Sequence, residues 1–388
     1  MESKSFFVSN DKALCCGCRA CEKACPSSAI VMKGDDEGFS YPVIQKDKCI
    51  NCGICKKVCP VSSERDDVSI RNIYTVQNKD KQSLLNSSSG GVFISLAKFV
   101  ISGGGKVFGA VMNDNYETVI TSADNTDELR QMQGSKYVSS DTADAFVEVE
   151  KYLKDNIIVL FTGSPCQIAG LRSYLRKDYD NLYTMDFLCH GMPSQKMFSE
   201  NIKYLSDKYK GKISDYKFRD KSLKGWGHVT SFYVDGKKHY EAGRLNAYFC
   251  GFIKNYLNRY SCYSCHFTGE KRCSDITVGD FWGCNDSSFS LKKGVSFAAI
   301  NTQKGEELFE KIKDDFLCKS TTSEIVSEYN GTLLSSHNQN IPDIRKNIYA
   351  ELDKCGYKHI VKRYLTPEKK ILLQAKMRMD MLLNKIGK

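Results

Sequence analysis

Two copies of one cysteine run open the chain: Cys15, Cys18, Cys21 and Cys25 followed by Pro26, then Cys49, Cys52, Cys55 and Cys59 followed by Pro60. Both read C-x-x-C-x-x-C-x-x-x-C-P, the spacing with which bacterial ferredoxins ligate [4Fe-4S] cubes. Three closely spaced thiolates take irons of one cube, and the fourth, just before the proline, crosses to the other. Cys15, Cys18, Cys21 and Cys59 are therefore expected to hold one cluster, and Cys49, Cys52, Cys55 and Cys25 a second. A short segment tied to two cubes in this way has little freedom in how it folds. Paired C-x-x-C elements also suit tetrahedral zinc. Zinc, however, has no use for eight cysteines in two interlocked runs that each end in Cys-Pro. Cys16 lies outside the spacing and reads as a bystander.

At 388 residues with 41% apolar content, the chain is long enough for two or three domains with a real core. No apolar run approaches the roughly twenty residues of a membrane span. Residues 1–10 lack the basic, apolar and cleavage regions of a secretory leader. No transmembrane segment is expected, and the expected location is cytoplasmic. Eighteen cysteines spread through such a chain fit a reducing compartment better than a disulfide scaffold. The formal charge of +10 treats cysteines as neutral. A cube on four thiolates carries about −2, so three cubes would leave about +4. The remaining Lys and Arg are scattered, without an arginine-rich arm or an aromatic RNA-binding motif, and nucleic acid is not expected as a partner.

Between the cysteine runs, apolar residues 29–33 and 41–44 flank the polar turn Gly34-Asp35-Asp36-Glu37-Gly38, a hairpin signal. The front module is thus α+β and ferredoxin-like. Polar residues 62–67 mark its end, so removing 1–66 is expected to leave a soluble second domain. From residue 73 onward, strands expected at 107–112, 157–161 and 182–188 alternate with helices expected at 92–101, 143–154, 167–177 and 195–209. This is α/β organisation, with functional loops at strand ends. Two further strands are expected over 212–221 and 229–240, and a helix over 245–258. The expected division is a dicluster ferredoxin domain at 1–66, an α/β domain at 67–320 and a helical segment at 321–388. The last part, 367–388, reads as a basic amphipathic helix with Ile371, Leu372, Ala375, Met379, Leu382, Leu383 and Ile386 as its apolar positions. Docking on its own core is the simpler reading; contact with a membrane surface or a partner is the other.

A second set of motifs follows. Thr162-Gly163-Ser164-Pro165-Cys166-Gln167 leaves one expected strand and opens a helix, and Asp186-Phe187-Leu188-Cys189-His190-Gly191 follows the next. Cys262-Tyr263-Ser264-Cys265 and Asp275 to Gly283 come later. Together with Ser88-Ser89-Gly90-Gly91, Gln133-Gly134-Ser135-Lys136-Tyr137 and Phe218-Arg219-Asp220-Lys221, this ordered series resembles the beta subunits of coenzyme F-420 hydrogenases and dehydrogenases, from about residue 85 to about 300. The resemblance implies an α/β flavin-binding domain that holds FAD and one more [4Fe-4S] cluster and exchanges hydride with a partner cofactor or substrate. A dicluster ferredoxin domain is a common companion in that family.

The resemblance points to Cys166, Cys189, Cys262 and Cys265 as ligands of the third cluster. A local set, Cys262, Cys265, Cys273 and Cys284, is the competitor and would equally suit zinc. For FAD, Ser88, Ser89, Gly90 and Gly91 precede an apolar helix whose N–H groups would cradle a pyrophosphate. Gly134, Ser135, Lys136 and Tyr137 add donors, a cation and a ring, and Thr162, Gly163 and Pro165 line the same crevice. Lys136 would stabilise anionic reduced flavin, against the plainer reading of a solvated turn lysine. His190 would relay a proton, or simply satisfy its surroundings. Arg219 and His228 are candidate anion or substrate contacts, and Asp280 is expected to fix the Gly279 to Gly283 turn.

The function these features imply is an iron-sulfur flavoprotein oxidoreductase that passes electrons between ferredoxin-type clusters and a hydride site on FAD. Its substrate would be coenzyme F-420 or another small organic molecule, for instance in surface-polysaccharide biosynthesis. The alternative is an electron-transfer adaptor that relays charge to a partner oxidoreductase. Either way a redox partner protein or ferredoxin is required. An oxygen sensor would need a DNA-binding or signalling domain, for which there is no sign.

Overall fold

The computed structural model describes residues 5–335, 339–367, 371–377 and 379. Strands β1 (Ile30–Gly34) and β2 (Ser40–Ile44) form the front hairpin, with Ile30 opposite Ile44 and Gly34 opposite Ser40. Each cysteine loop runs into a one-turn helix, Ala20–Lys23 or Ile54–Lys57, behind a left-handed cap residue, Arg19 or Gly53. Helices this short are not stable alone and depend on what they pack against. The two-residue strand β3 (Val68–Ser69) then leads away from the module.

The rest of the chain is organised on an eight-stranded mixed sheet. Its strands are β4 (Asn72–Asn78), β5 (Lys106–Met112), β6 (Thr118–Ala123), β7 (Val159–Thr162) and β8 (Leu182–Phe187), and later β13 (Ile276–Asp280), β14 (Ser296–Ile300) and β15 (Phe316–Thr321). In space they run β15-β4-β14-β13-β8-β7-β5-β6. The four inner strands β13, β8, β7 and β5 are parallel, and antiparallel strands flank them on both sides. A parallel strand covered on both faces must be apolar throughout, and β7 is buried along its whole length. Side chains alternate faces. Val107 and Leu160 join helices Val92–Ser102 and Gln303–Ile312 in one core, while Phe108 and Phe161 meet helices Ala145–Lys154 and Pro165–Leu175 in the other.

A three-stranded antiparallel sheet of β9 (Ile213–Lys217), β10 (Val229–Val234) and β11 (Lys237–Ala242) stands beside it. Its core is aromatic, with Phe198, Tyr216, Phe218, Phe232 and Tyr248 packed together. The strand expected over 229–240 is in fact a hairpin, because Asp235 and Gly236 take left-handed φ values of 48° and 79°. The helix expected over 245–258 shrinks to Ala247–Ile253, since Asn255, also left-handed, ends the run. Strand β12 (Lys271–Arg272) pairs with β3.

The front module is joined to the second part through buried chemistry. The Glu37 carboxylate pairs with Arg345, whose side chain is 0% exposed, at 2.9 and 2.5 Å. Arg19 pairs with Asp141, and Cys18, Ala20 and Val58 belong to the same core as Phe108 and Phe161. The polar residues that mark a domain edge are themselves anchored, with Arg65 bound to Asp67 and to the carbonyls of Pro60 and His266. Residues 371–377 are helical. Met377 packs against Leu223 and Val229, whereas Ile371 and Leu372 are exposed. Leu382, Leu383 and Ile386 lie outside the described residues.

Candidate iron-sulfur and cofactor sites

The fold brings the cysteines into three groups. Cys59 acts electrostatically on Cys15, Cys18 and Cys21, although it belongs to the second run. Cys55 in turn feels Cys52 and Cys25, while Cys49 starts their loop. The N–H of Ala29 points at the Cys25 sulfur at 3.3 Å, a donor suited to a thiolate. The third group joins distant parts of the chain. Burial pushes the Cys189 thiol well up, and Cys262, Cys166 and Cys265 add to the effect. Burial likewise raises Cys262 to about 12, with Cys265 and Cys166 contributing.

Cys166 is placed by the first turn of helix Pro165–Leu175, where Ser164 and Gln167 form a reciprocal capping box. Cys189 follows β8, and Cys262 and Cys265 follow helix Ala247–Ile253. The competing set does not assemble. Cys284 belongs to a different core and faces Asp286 and Lys319, while Cys273 donates to the Pro165 carbonyl at 3.2 Å. Among the described residues no three His, Cys, Asp or Glu side chains converge on a single-ion site. A buried arginine also fits an anionic cluster: Arg259 donates to the Cys15 carbonyl and reaches its sulfur at 3.6 Å. Cys16 stands outside the spacing yet beside the ligands, since Cys166 and Cys18 both act on its thiol.

A cavity of about 270 Å³ opens at the ends of the parallel strands. Ser88, Ser89, Gly91, Gly134, Ser135, Lys136, Tyr137, Thr162, Gly163 and His190 all line it, and so does Cys189. The Ser88 hydroxyl accepts the Ser135 N–H at 2.7 Å and ties two wall loops together. Gly134 turns with φ 84°, a conformation that strains any residue with a Cβ. Two expected members stand elsewhere. Gly90 is wedged where a Cβ would come 2.4 Å from the Val76 carbonyl, and Pro165 occupies the first helical turn with its carbonyl taken by Cys273.

The Lys136 ammonium is held by the carbonyls of Gln131 and Met132 at 2.8 Å and of Gln133 at 3.2 Å, which closes the end of helix Thr126–Met132. Burial pulls this amine down to about 7, while the three carbonyls favour its charged form. Asp280 does more than fix a turn: it pairs with Arg219 at 2.5 Å and accepts the Trp226 indole N–H at 2.8 Å. Trp226 stacks on Trp282, which lines the cavity together with Phe252 and Asn330. Sequence reasoning includes Trp282 in the Asp275 to Gly283 motif without giving it a role, and misses Trp226, Phe252 and Asn330. The two tryptophans, the chain's whole complement, are the signal that could have found them.

Two groups of thiols on a ferredoxin-type module, and a third at the rim of an α/β cavity, define an iron-sulfur protein of the electron-transferring kind. Residues 14–63 match the 4Fe-4S dicluster domain, and residues 158–324 match the family described as the C terminus of the coenzyme F420 hydrogenase/dehydrogenase beta subunit. The F subunit of the F(420)H(2) dehydrogenase of Methanosarcina mazei is 24% identical over 319 residues, which is 78% of this chain and 83% of that protein. A chain of the xenon-derivatised F420-reducing [NiFe] hydrogenase complex from Methanosarcina barkeri aligns with a TM-score of 0.48 and 16% identity, over 75% of this chain and 95% of that one. Residues 158–324 are thus similar to the C terminus of the coenzyme F420 hydrogenase/dehydrogenase beta subunit, and a 4Fe-4S dicluster domain stands in front of them. No helix among the described residues is long and apolar enough to cross a membrane.

Proposed function

We propose that this chain is an iron-sulfur flavoprotein oxidoreductase. In this reading Cys15, Cys18, Cys21 and Cys59 hold one [4Fe-4S] cube, Cys49, Cys52, Cys55 and Cys25 a second, and Cys166, Cys189, Cys262 and Cys265 a third. FAD enters the cavity beside Ser88, Gly134 and Gly163. When bound, flavin supplies the exchange between hydride pairs and the single electrons that clusters carry. The observation that carries the reading is Cys189, which belongs both to the third thiol group and to the cavity wall.

The chain's own residues have definite work in this scheme. Ile120, Met132, Met185 and Phe187 make the cavity interior apolar and exclude water. Its volume is near the lower end of small-molecule sites, about 300–1,000 Å³, which suits a planar ring system with its tail toward the mouth. His190, exposed beside Cys189, would move a proton at the rim. Lys136 contributes positive charge from the helix end rather than a direct hydrogen bond.

The name of the Methanosarcina mazei relative brings coenzyme F420 forward as the acceptor to try first. The test is anaerobic purification with iron, sulfide, zinc and flavin analysis, followed by reduction through a low-potential donor and a screen of F420 and other small organic acceptors. About twelve irons, about one FAD and acceptor turnover are expected. Eight irons with stoichiometric zinc would remove the third cube. Twelve irons and flavin without turnover of any small acceptor would make the chain an electron-transfer adaptor.

A further inference from the structure

Arg259 is 5% exposed and lies between two of the thiol groups. Its Nε donates to the Cys15 carbonyl at 2.6 Å, and its Nη2 donates to the Ser40 carbonyl at 2.8 Å and reaches the Cys15 sulfur at 3.6 Å. The guanidinium lies 4.1 Å from the centre of the Tyr41 ring. Gly17 leaves room for it, since a Cβ there would stand 3.0 Å from Nη1. The same residue is bound to the third group through its main chain, because the Cys262 N–H donates to the Arg259 carbonyl at 3.0 Å. Its charge acts on Cys262 and Cys166 as well as on Cys15.

Of the three other buried arginines, Arg345 pairs with Glu37 and Arg219 with Asp280, while Arg272 donates to the Thr332 and Leu333 carbonyls and its charge acts on the buried Asp186. Among the described residues, the acceptors of Arg259 are two carbonyls and a sulfur, with no carboxylate. A buried cation without a counter-ion is costly. Thiolate-bound cubes on either side would supply the missing negative charge. Each cube gains a further negative charge on reduction, so the guanidinium stabilises the reduced form more than the oxidised one. Charge and hydrogen bonds at the sulfurs are established levers on cluster potential.

We propose that Arg259 raises together the reduction potentials of the cube on Cys15, Cys18, Cys21 and Cys59 and the cube on Cys166, Cys189, Cys262 and Cys265. It is a positioning residue that keeps the step between front module and cavity nearly level in energy. The inference rests on the cluster assignment proposed above.

The experiment compares the wild-type protein with Arg259→Gln and Arg259→Lys by iron and sulfide analysis and by redox titration followed by electron paramagnetic resonance. With the irons retained, Arg259→Gln is expected to move two of the three reduction steps to more negative potential, by about tenfold in equilibrium constant or about 59 mV for one electron. The step of the cube on Cys49, Cys52, Cys55 and Cys25 should stay in place. Arg259→Lys should fall between, because an ammonium keeps the charge but not the fork that spans both carbonyls. Unchanged potentials in Arg259→Gln at full iron content overturn the inference. If that variant loses iron, Arg259→Lys decides: two shifted steps support the inference and three unshifted ones overturn it. Wild-type protein with fewer than twelve irons overturns the cluster assignment itself.

Discussion

Gly170 of helix Pro165–Leu175 faces Cys18 so closely that a Cβ at position 170 would lie 2.7 Å from the Cys18 Cβ and 2.9 Å from its sulfur. The glycine lets a cysteine loop of the front module rest directly on the helix that carries Cys166. Two thiol groups thereby approach each other through one missing methyl group.

Gly170→Ala tests this approach. Alanine gains about 1 kcal/mol of helix propensity, but overpacking at a site that cannot yield costs about 1–3 kcal/mol. On the proposed ligand set Cys18 is tied to a cube and would not swing aside, so the balance is expected to be destabilising. Iron content of the purified variant should fall and its chemical denaturation midpoint should drop. A variant with full iron content and a raised midpoint would show that the loop can retreat.

For the third thiol group, Cys189→Ser replaces a soft thiolate by a hydroxyl poorly suited to a cubane iron. About four irons per chain should be lost, and ferredoxin-linked turnover should fall steeply while chemical reduction of the flavin persists. Cys284→Ser, whose sulfur faces Asp286 and Lys319, should leave iron content unchanged. The reverse pattern would restore the local ligand set.

Glu37→Gln removes the counter-charge of Arg345 while keeping the side chain's shape. Arg345 also donates to the Asn258 carbonyl at 2.8 Å and lies 3.9 Å from the Tyr260 ring centre, so it cannot leave its site. Breaking a buried pair costs about 3–5 kcal/mol, a large part of the stability of most domains. Guanidinium denaturation should show the loss, and limited proteolysis should release the front module sooner than in the wild type. On the same argument, deleting residues 1–66 strips Arg345 of its Glu37 counter-charge and Arg259 of the Cys15 and Ser40 carbonyls, and should yield a poorly folded remainder rather than an independent domain.

The cysteine runs were legible because their spacing is local and their chemistry admits few readings. Thr162 was legible as the end of a strand, where α/β folds gather ligands, whereas Ser88 and Gly134 follow helices and were marked by the family motifs instead. Arg259 was not, since its partner Cys15 is 244 residues away and nothing near position 259 marks it. Cys16 has no place in the ligand spacing, and that is what leaves its thiol available to Cys166. Strand β14, Ser-Phe-Ala-Ala-Ile, is buried throughout and so has no alternation to read. The Asp235-Gly236 turn is a recognised hairpin signal that the apolar run around it obscures.

His228 gives the stability a pH dependence of definite sign. Its ring packs 4.8 Å from Phe249 and 5.0 Å from Trp282, and burial, with Arg219 nearby, lowers its pKa to about 4. The unfolded chain's imidazole takes up a proton near pH 6.5, the folded one only near 4. Between these values the unfolded state binds more protons, so stability falls as pH drops through that window. His228→Phe keeps a ring against Phe249 and Trp282 but cannot titrate. In anaerobic urea denaturation at pH 7.0 and pH 5.5, the wild-type midpoint should fall on acidification by more than the variant's. Clusters are common to both proteins, so the difference between the two slopes isolates the imidazole. Parallel slopes would mean that His228 is solvated enough to titrate normally in the folded protein.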